Sequence, residues 1–170
     1  IAFESDRDGD WEVFVMNVDG TQVRQLTDDD DAVDGSPAWS PDGTRIAFIS
    51  DRAGDFDVFV MNVDGTQVRQ LTDNDALTSN PAWSPDGKRI AFVSDRYGDW
   101  EIFVMNADGT QVRQLTDNDD WDAFPTWSPD GTRIAFSSNR YIDDEIFVMN
   151  ADGTDVYSTG QQGCCPSWGG

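Results

Sequence analysis

The chain contains no histidine. The commonest general base near neutral pH and the usual zinc ligand are therefore both missing. Neither a Ser-His-Asp nor a Cys-His centre can be assembled from these residues alone. Cysteine is almost as scarce: the two present, Cys164 and Cys165, are adjacent, which excludes a C-x-x-C zinc or redox motif. A disulfide between neighbours would close a strained small ring, and strand alternation would send the two side chains to opposite faces. In an oxidising compartment one or both could instead bridge two subunits, and two free thiols are the third option. Basic residues are few, 11 against 33 acidic ones, for a net charge of −22. Nucleic-acid binding, which needs clustered Lys and Arg, is thereby excluded, and anionic membrane surfaces are disfavoured. Basic partners and divalent cations are favoured, and solubility alone also accounts for such a charge. No apolar run approaches the roughly 18 residues of a membrane span, and no segment has helical periodicity. No signal peptide is present and the first residue is Ile1, which reads as a processed chain or an excised segment.

What the chain has in abundance is repetition. Ile1-Ala2-Phe3 returns as Ile46-Ala47-Phe48, Ile90-Ala91-Phe92 and Ile134-Ala135-Phe136. A period in the forties built from short strands and turns is the mark of a propeller blade. In the copy spanning 46–89 and onward, Pro81-Ala82-Trp83-Ser84 reads as a strand that ends at Pro85-Asp86-Gly87. That turn presets φ at Pro and lets Gly take positive φ. Strands over 89–94, 100–106 and 112–116 follow, the last two joined by the hairpin signal Asp108-Gly109. Runs such as Phe59-Val60-Met61 are apolar on both faces of the strand, so the sheets must be covered on both sides. Radial stacking of blades does this without helices. The expectation is one all-β domain over 1–170: a four-bladed β-propeller of four-stranded antiparallel blades, with repeats at 1–45, 46–89, 90–133 and 134–170.

The first copy lacks its own first strand, and Cys165-Pro166-Ser167-Trp168 aligns with Asn80-Pro81-Ala82-Trp83. The C-terminal strand is expected to pair with the three N-terminal strands and close the ring, which removes a free edge. Donation of that strand to a neighbouring molecule, giving a homo-oligomer or fibre, fits the same residues.

Candidate chemistry lies in the loops. Between the second and third strands the first copy reads Asp6-Arg7-Asp8-Gly9-Asp10-Trp11-Glu12. Alternating acids around a glycine could converge on one hard cation, and calcium takes six to eight oxygens. The corresponding acids are Asp51, Asp55 and Asp57, then Asp95, Asp99 and Glu101, then Asp143 and Glu145. The glycine is misplaced for an EF-hand. The structural alternative is that the first Asp caps the turn and the following Arg pairs with a neighbouring carboxylate. A second set follows the fourth strand. Copies two and three agree at 31 of 44 positions, and five of the thirteen differences fall together at 76–80 against 120–124. Sequence variety on a constant scaffold is where a specific partner is read. Asp30, Asp31, Asp75, Leu77, Asp119, Trp121 and Phe124 are the candidate partner contacts. Their alternatives are a solvated rim and packing between blades. The recurring Trp39, Trp83, Trp127 and Trp168, and Phe14, Phe59, Phe103 and Phe147, read as core.

The string I-A-F-x-S-[DN]-R, [DE]-[VI]-F-V-M-N-x-D-G-T, V-R-Q-L-T and P-x-W-S-P-D-G resembles the TolB-like propeller repeat, also called the PD40 repeat, over nearly the whole chain. The resemblance implies a secreted or periplasmic protein, and a propeller that serves as an interaction module or as the non-catalytic partner of a hydrolase or lyase domain. The family's propeller typically has six blades, so its partner site is not carried over to four. The last copy departs from the pattern: Val156-Tyr157-Ser158-Thr159-Gly160 replaces V-R-Q-L-T. The expected function is a secreted, non-catalytic scaffold, with calcium as the candidate cofactor and a protein partner or self-association as the candidate contact. The alternative is the propeller of a carboxylate-dependent polysaccharide lyase or glycosidase, which would need two acids at working separation.

Overall fold

The computed structural model describes residues 1–7, 9–29, 31–141 and 143–169. Among them are strands and turns, and no helix. The first sheet is β1 (Ala2–Ser5), β2 (Glu12–Val15) and β3 (Arg24–Gln25). The second is β4 (Asp34–Trp39), β5 (Arg45–Ser50), β6 (Asp57–Asn62) and β7 (Arg69–Gln70). The third is β8 (Thr78–Trp83), β9 (Arg89–Ser94), β10 (Glu101–Asn106) and β11 (Arg113–Gln114). The fourth is β12 (Asp122–Trp127), β13 (Arg133–Ser138), β14 (Glu145–Asn150) and β15 (Tyr157–Gln162). All neighbours are antiparallel and follow chain order, as tight turns dictate. The first strands of successive blades meet, whereas β7 and β11 lie at the periphery and pair only with β6 and β10.

Each blade is built around a cross-strand aromatic pair: Phe3 opposite Phe14, Phe48 opposite Phe59, Phe92 opposite Phe103, Phe136 opposite Phe147. The rings lie 5.6–5.8 Å apart. Pairs of this kind are worth roughly 0.2–1 kcal/mol over Ala–Ala. The guanidinium of Arg7, Arg52, Arg96 or Arg140 lies over each pair. Between blades the D-G-T turn packs against the blade before it. A Cβ on Gly65, Gly109 or Gly153 would stand 2.9 Å from the carbonyl oxygen of Leu26, Leu71 or Leu115, and each of these glycines has positive φ. Close approach and backbone conformation both require glycine there.

The first strand begins earlier than the P-x-W motif suggests. In β4, β8 and β12 the residue before proline takes positive φ, at Ser36 (49°), Asn80 (49°) and Phe124 (54°). The register shifts at the same place, between Gly35 and Ala38, Ser79 and Ala82, and Ala123 and Thr126. This is a bulge: proline cannot donate to the ladder, so the chain bends past it and resumes pairing. Beyond the bulge the tryptophan indole bonds the preceding blade, Trp83 to the Ala38 carbonyl at 3.2 Å and Trp127 to the Ala82 carbonyl at 3.1 Å.

The phenylalanines expected in the core are there, with Phe14, Phe59, Phe103 and Phe147 all buried. Trp83 and Trp127 are buried too, but Trp39 is 36% exposed. The reason is local: Trp39 faces the sheet that lacks a first strand. The outer-strand arginines bond main-chain carbonyls of the next blade rather than its carboxylates. Arg24 donates to the Asp64 and Val63 carbonyls, Arg69 to those of Asp108 and Ala107, and Arg113 to that of Asp152. The carboxylates of those turns are occupied by their own threonines.

The ring-closing ladder is not among the hydrogen bonds of the described residues. Extensive contact between elements joins only consecutive blades. Around Gly20, the first-blade counterpart of Gly65, a Cβ would meet nothing within 4 Å.

Candidate functional site: acid pairs and the acidic rim

The acids that open the third strands do not face the loops. Glu12, Asp57 and Glu101 are buried, 1–3% exposed. Each accepts from the hydroxyl of the threonine two residues beyond its blade's outer strand, Thr27, Thr72 and Thr116. Glu145, half-buried, does the same with Ser158. Glu12 also accepts the Asp29 N–H at 3.0 Å and Glu101 the Asn118 N–H at 2.6 Å. A second carboxyl from the next blade lies against two of them. Asp34 meets Glu12, and Asp122 meets Glu101. Burial, then the neighbouring acid, raises the Glu12 carboxyl above its usual range and pushes Glu101 to about 7. Asp34 and Asp122 are fully buried and each bonds one arginine, Arg52 at 2.6 Å and Arg140 at 2.5 Å. Asp34 Oδ1 and Asp122 Oδ1 have no other protein donor, which is what a shared proton with the facing glutamic acid would serve. The interface between the second and third blades has Thr78 in place of the second acid. There one guanidinium nitrogen of Arg96 is left without a partner, and burial lowers the Arg96 pKa.

The remaining loop acids divide by role. Asp51 Oδ1 accepts the Val33 N–H at 2.7 Å, Asp95 Oδ1 the Leu77 N–H at 2.9 Å, and Asn139 Oδ1 the Trp121 N–H at 2.7 Å. The first residue of the loop thus holds the variable connection of its own blade in place. Asp143 accepts from Gln162 at 2.7 Å. Asp6, Asp55 and Asp99 are exposed, and Asp10 keeps one buried oxygen without a donor. Asp8 lies outside the described residues. Among the described residues no three acidic side chains gather around one point. Among the described residues the alternating acids therefore divide between core, cap and solvent.

Of the candidate partner contacts, Asp31, Asp75 and Asp119 are exposed, Leu77 is 41% exposed, and Asp30 lies outside the described residues. Trp121 stands edge-on to Phe124 with ring centroids 5.7 Å apart. Both rings are half-buried against the core shared by the third and fourth blades. Phe124 sits in the β12 bulge and lines a shallow hollow with Pro125, Ser36, Pro37, Asn80 and Pro81. A larger cleft of about 670 Å³ opens on the fourth blade between Asp120, Asn139, Arg140, Tyr141, Asp143, Glu145 and Gln162. Cys164 and Cys165 are exposed free thiols with the two sulfurs 2.9 Å apart.

Sequence reasoning missed the acid pairs because their members lie in separate motifs. It also missed the arginine stacks, although the constant D-R or N-R dipeptide after each I-A-F strand was a usable signal.

Repeated antiparallel blades that meet through their first strands define a β-propeller. The sequence profile of the TolB beta propeller domain, PD40, matches residues 1–81 and 72–168, and the chain belongs to that family. Among solved structures it is similar to a TolB-type protein of Agrobacterium tumefaciens, at 28% identity and a TM-score of 0.83, over 92% of this chain and 59% of that one. It is similar to TolB from Acinetobacter baumannii at 23% identity and a TM-score of 0.81, over 96% of this chain and 41% of that one. A chain of a nidogen/laminin complex shares the fold at 14% identity and a TM-score of 0.73, over 95% of this chain and 62% of that one. This chain thus spans less than two thirds of each of these chains. No curated protein matches it.

Proposed function

We propose that the chain is a non-catalytic interaction module, extracellular or periplasmic, that reads a protein partner with the variable loops of its acidic rim. The observation that carries this reading is the contrast between loops and scaffold. Asp31, Asp75, Asp119 and Leu77 are exposed on connections whose backbone is fixed by Asp51, Asp95 and Asn139. A rigidly held, variable, charged loop is suited to recognition. A net charge of −22 would steer a basic partner toward it. The carboxyl pairs do not support catalysis: Glu101 and Asp122 are closed off from solvent, and Glu12 with Asp34 repeats the arrangement. Calcium stays in the reading as the one candidate cofactor of the acidic loops, to be tested directly.

Two experiments test the reading. Affinity capture is run with the wild type and with a variant combining Asp75→Asn, Leu77→Ala, Asp119→Asn and Trp121→Ala. A protein retained by the wild type alone supports it, and identical captures refute it. A thermal melt compares calcium with excess chelator. An ion that binds only the folded state stabilises it by about 2.7 kcal/mol at a hundred times its Kd. No shift would assign these aspartates to capping and solubility.

A further inference from the structure

Seven buried side-chain polar atoms lack a hydrogen-bond partner among the described residues, and four of them belong to one place, the interface between the second and third blades. They are Arg96 Nη2, Thr78 Oγ1 and both Nδ2 and Oδ1 of Asn74. Thr78 is 1% exposed, so its hydroxyl has no recourse to solvent. Buried donors left unpaired are costly, and a charged one most of all.

The next interface shows what such a set is built to hold. Asn118, Asp122 and Arg140 stand there where Asn74, Thr78 and Arg96 stand here. Arg140 Nη2 and Asn118 Nδ2 both donate to one oxygen, Asp122 Oδ2, at 2.5 and 2.9 Å. Asn118 Nδ2 also reaches the two Glu101 oxygens at 3.2 and 3.3 Å. Arg52 Nη2 meets Asp34 Oδ2 in the same way at 2.6 Å. Between the second and third blades both acids are altered. Thr78 brings no carboxylate. Asp57, a methylene shorter than Glu101, turns to Gln70 at 2.8 Å and Thr72 at 2.6 Å. The guanidinium keeps its position without them. Arg96 Nε donates to Ser94 at 3.2 Å, and its guanidinium carbon lies over the Phe103 ring, 4.6 Å from the ring centre.

We propose that this interface binds a halide-sized monovalent anion, held by Arg96, Asn74 and Thr78 in place of the carboxylate that Asp122 supplies one blade further on. This is independent of the rim reading. Size follows from the exchange: threonine for aspartate and aspartate for glutamate each remove a single heavy atom, which leaves room for a small ion and not for a bulky one. Charge has to be balanced as well. The ionisable groups around the place are Arg96, with the Tyr97 phenol beside it, and Asp57, with Asp55 and Asp73 facing it. Burial raises the Asp57 carboxyl above its usual range. With a proton on Asp57, the anion and Arg96 form a neutral set, as Asp122 and Arg140 do beside a protonated Glu101.

Crystals soaked in sodium bromide locate the ion by anomalous scattering. A peak between Arg96, Asn74 and Thr78 is expected in the wild type and none in Thr78→Asp, whose own carboxylate takes the place. In solution, melts at pH 5 compare sodium chloride with sodium gluconate at equal ionic strength, gluconate being too large to enter. The chloride-minus-gluconate difference in Tm should be more positive for the wild type than for Thr78→Asp, where only bulk salt effects remain. Asn74→Ala removes one donor outside the strands and should reduce the difference part way, which keeps the test open if Thr78→Asp does not fold. Equal differences in the wild type and the folded variants would overturn the proposal. So would water alone at the place, without an anomalous peak. A bromide peak with no differential in solution would mean an adventitious ion only, and would overturn it too.

Discussion

Glu101 shows how one carboxyl can tie stability to pH. Its pKa in the fold is about 7 against 4.5 for the free group, because burial and Asp122 disfavour its charge. The folded state therefore holds a proton that the unfolded chain releases. The stabilisation is complete below pH 4.5 and is lost as pH rises through 7. Glu12 shifts in the same direction against Asp34. Glu101→Gln reproduces the protonated form, with an amide to donate toward Asp122 and a carbonyl to accept from Thr116 and Asn118. The substitution should leave Tm nearly unchanged at pH 4.5, raise it at pH 8.5, and flatten the slope between. An unaltered slope in thermal melts across that range would show that Glu101 does not carry the dependence. Nothing in the sequence marked this residue apart from Asp99 two positions earlier, since both sat in one alternating acidic motif. Which of them turns inward is decided by the start of β10, a boundary that single residues do not announce.

At the scale of the element, the strands and turns were legible and their contacts were not. The I-A-F and F-V-M-N segments fall on the second and third strands of every blade because apolar residues on both faces leave no other packing. The bulge in the first strand was hidden, because Ser36, Asn80 and Phe124 share no chemistry beyond preceding proline. The glycine of the D-G-T turn reads from sequence as a hairpin residue only, yet the Leu71 carbonyl makes it an interface residue as well. Gly109→Ala should be more destabilising than Gly20→Ala. Both force alanine to φ near +80°, but only the first drives a Cβ to 2.9 Å from a backbone oxygen. Strain of the shared kind costs of order 1–3 kcal/mol, and the clash at 109 comes on top. Denaturant unfolding of the two variants measures the difference. Equal losses would mean that the Gly20 turn is covered in solution.

For the whole molecule, charge sets a term that no single contact reveals. Thirty-three acids against eleven bases compress a net −22 into one compact array. Mutual repulsion of this size favours the expanded chain over the folded one. The Debye length falls from about 30 Å at 0.01 M salt to about 3 Å at 1 M, so added sodium chloride should screen that repulsion and raise Tm. The two buried ion pairs, Arg52–Asp34 and Arg140–Asp122, oppose the trend little because salt does not reach them. A melt series in sodium chloride should therefore climb smoothly and level off. The same series gives calcium its proper baseline: at matched ionic strength, a bound calcium ion must lift Tm above the sodium curve, whereas screening alone lands on it. A Tm that fell with sodium chloride would mean that favourable surface pairs outweigh the repulsion, and the lopsided charge would then have to be explained by what it attracts.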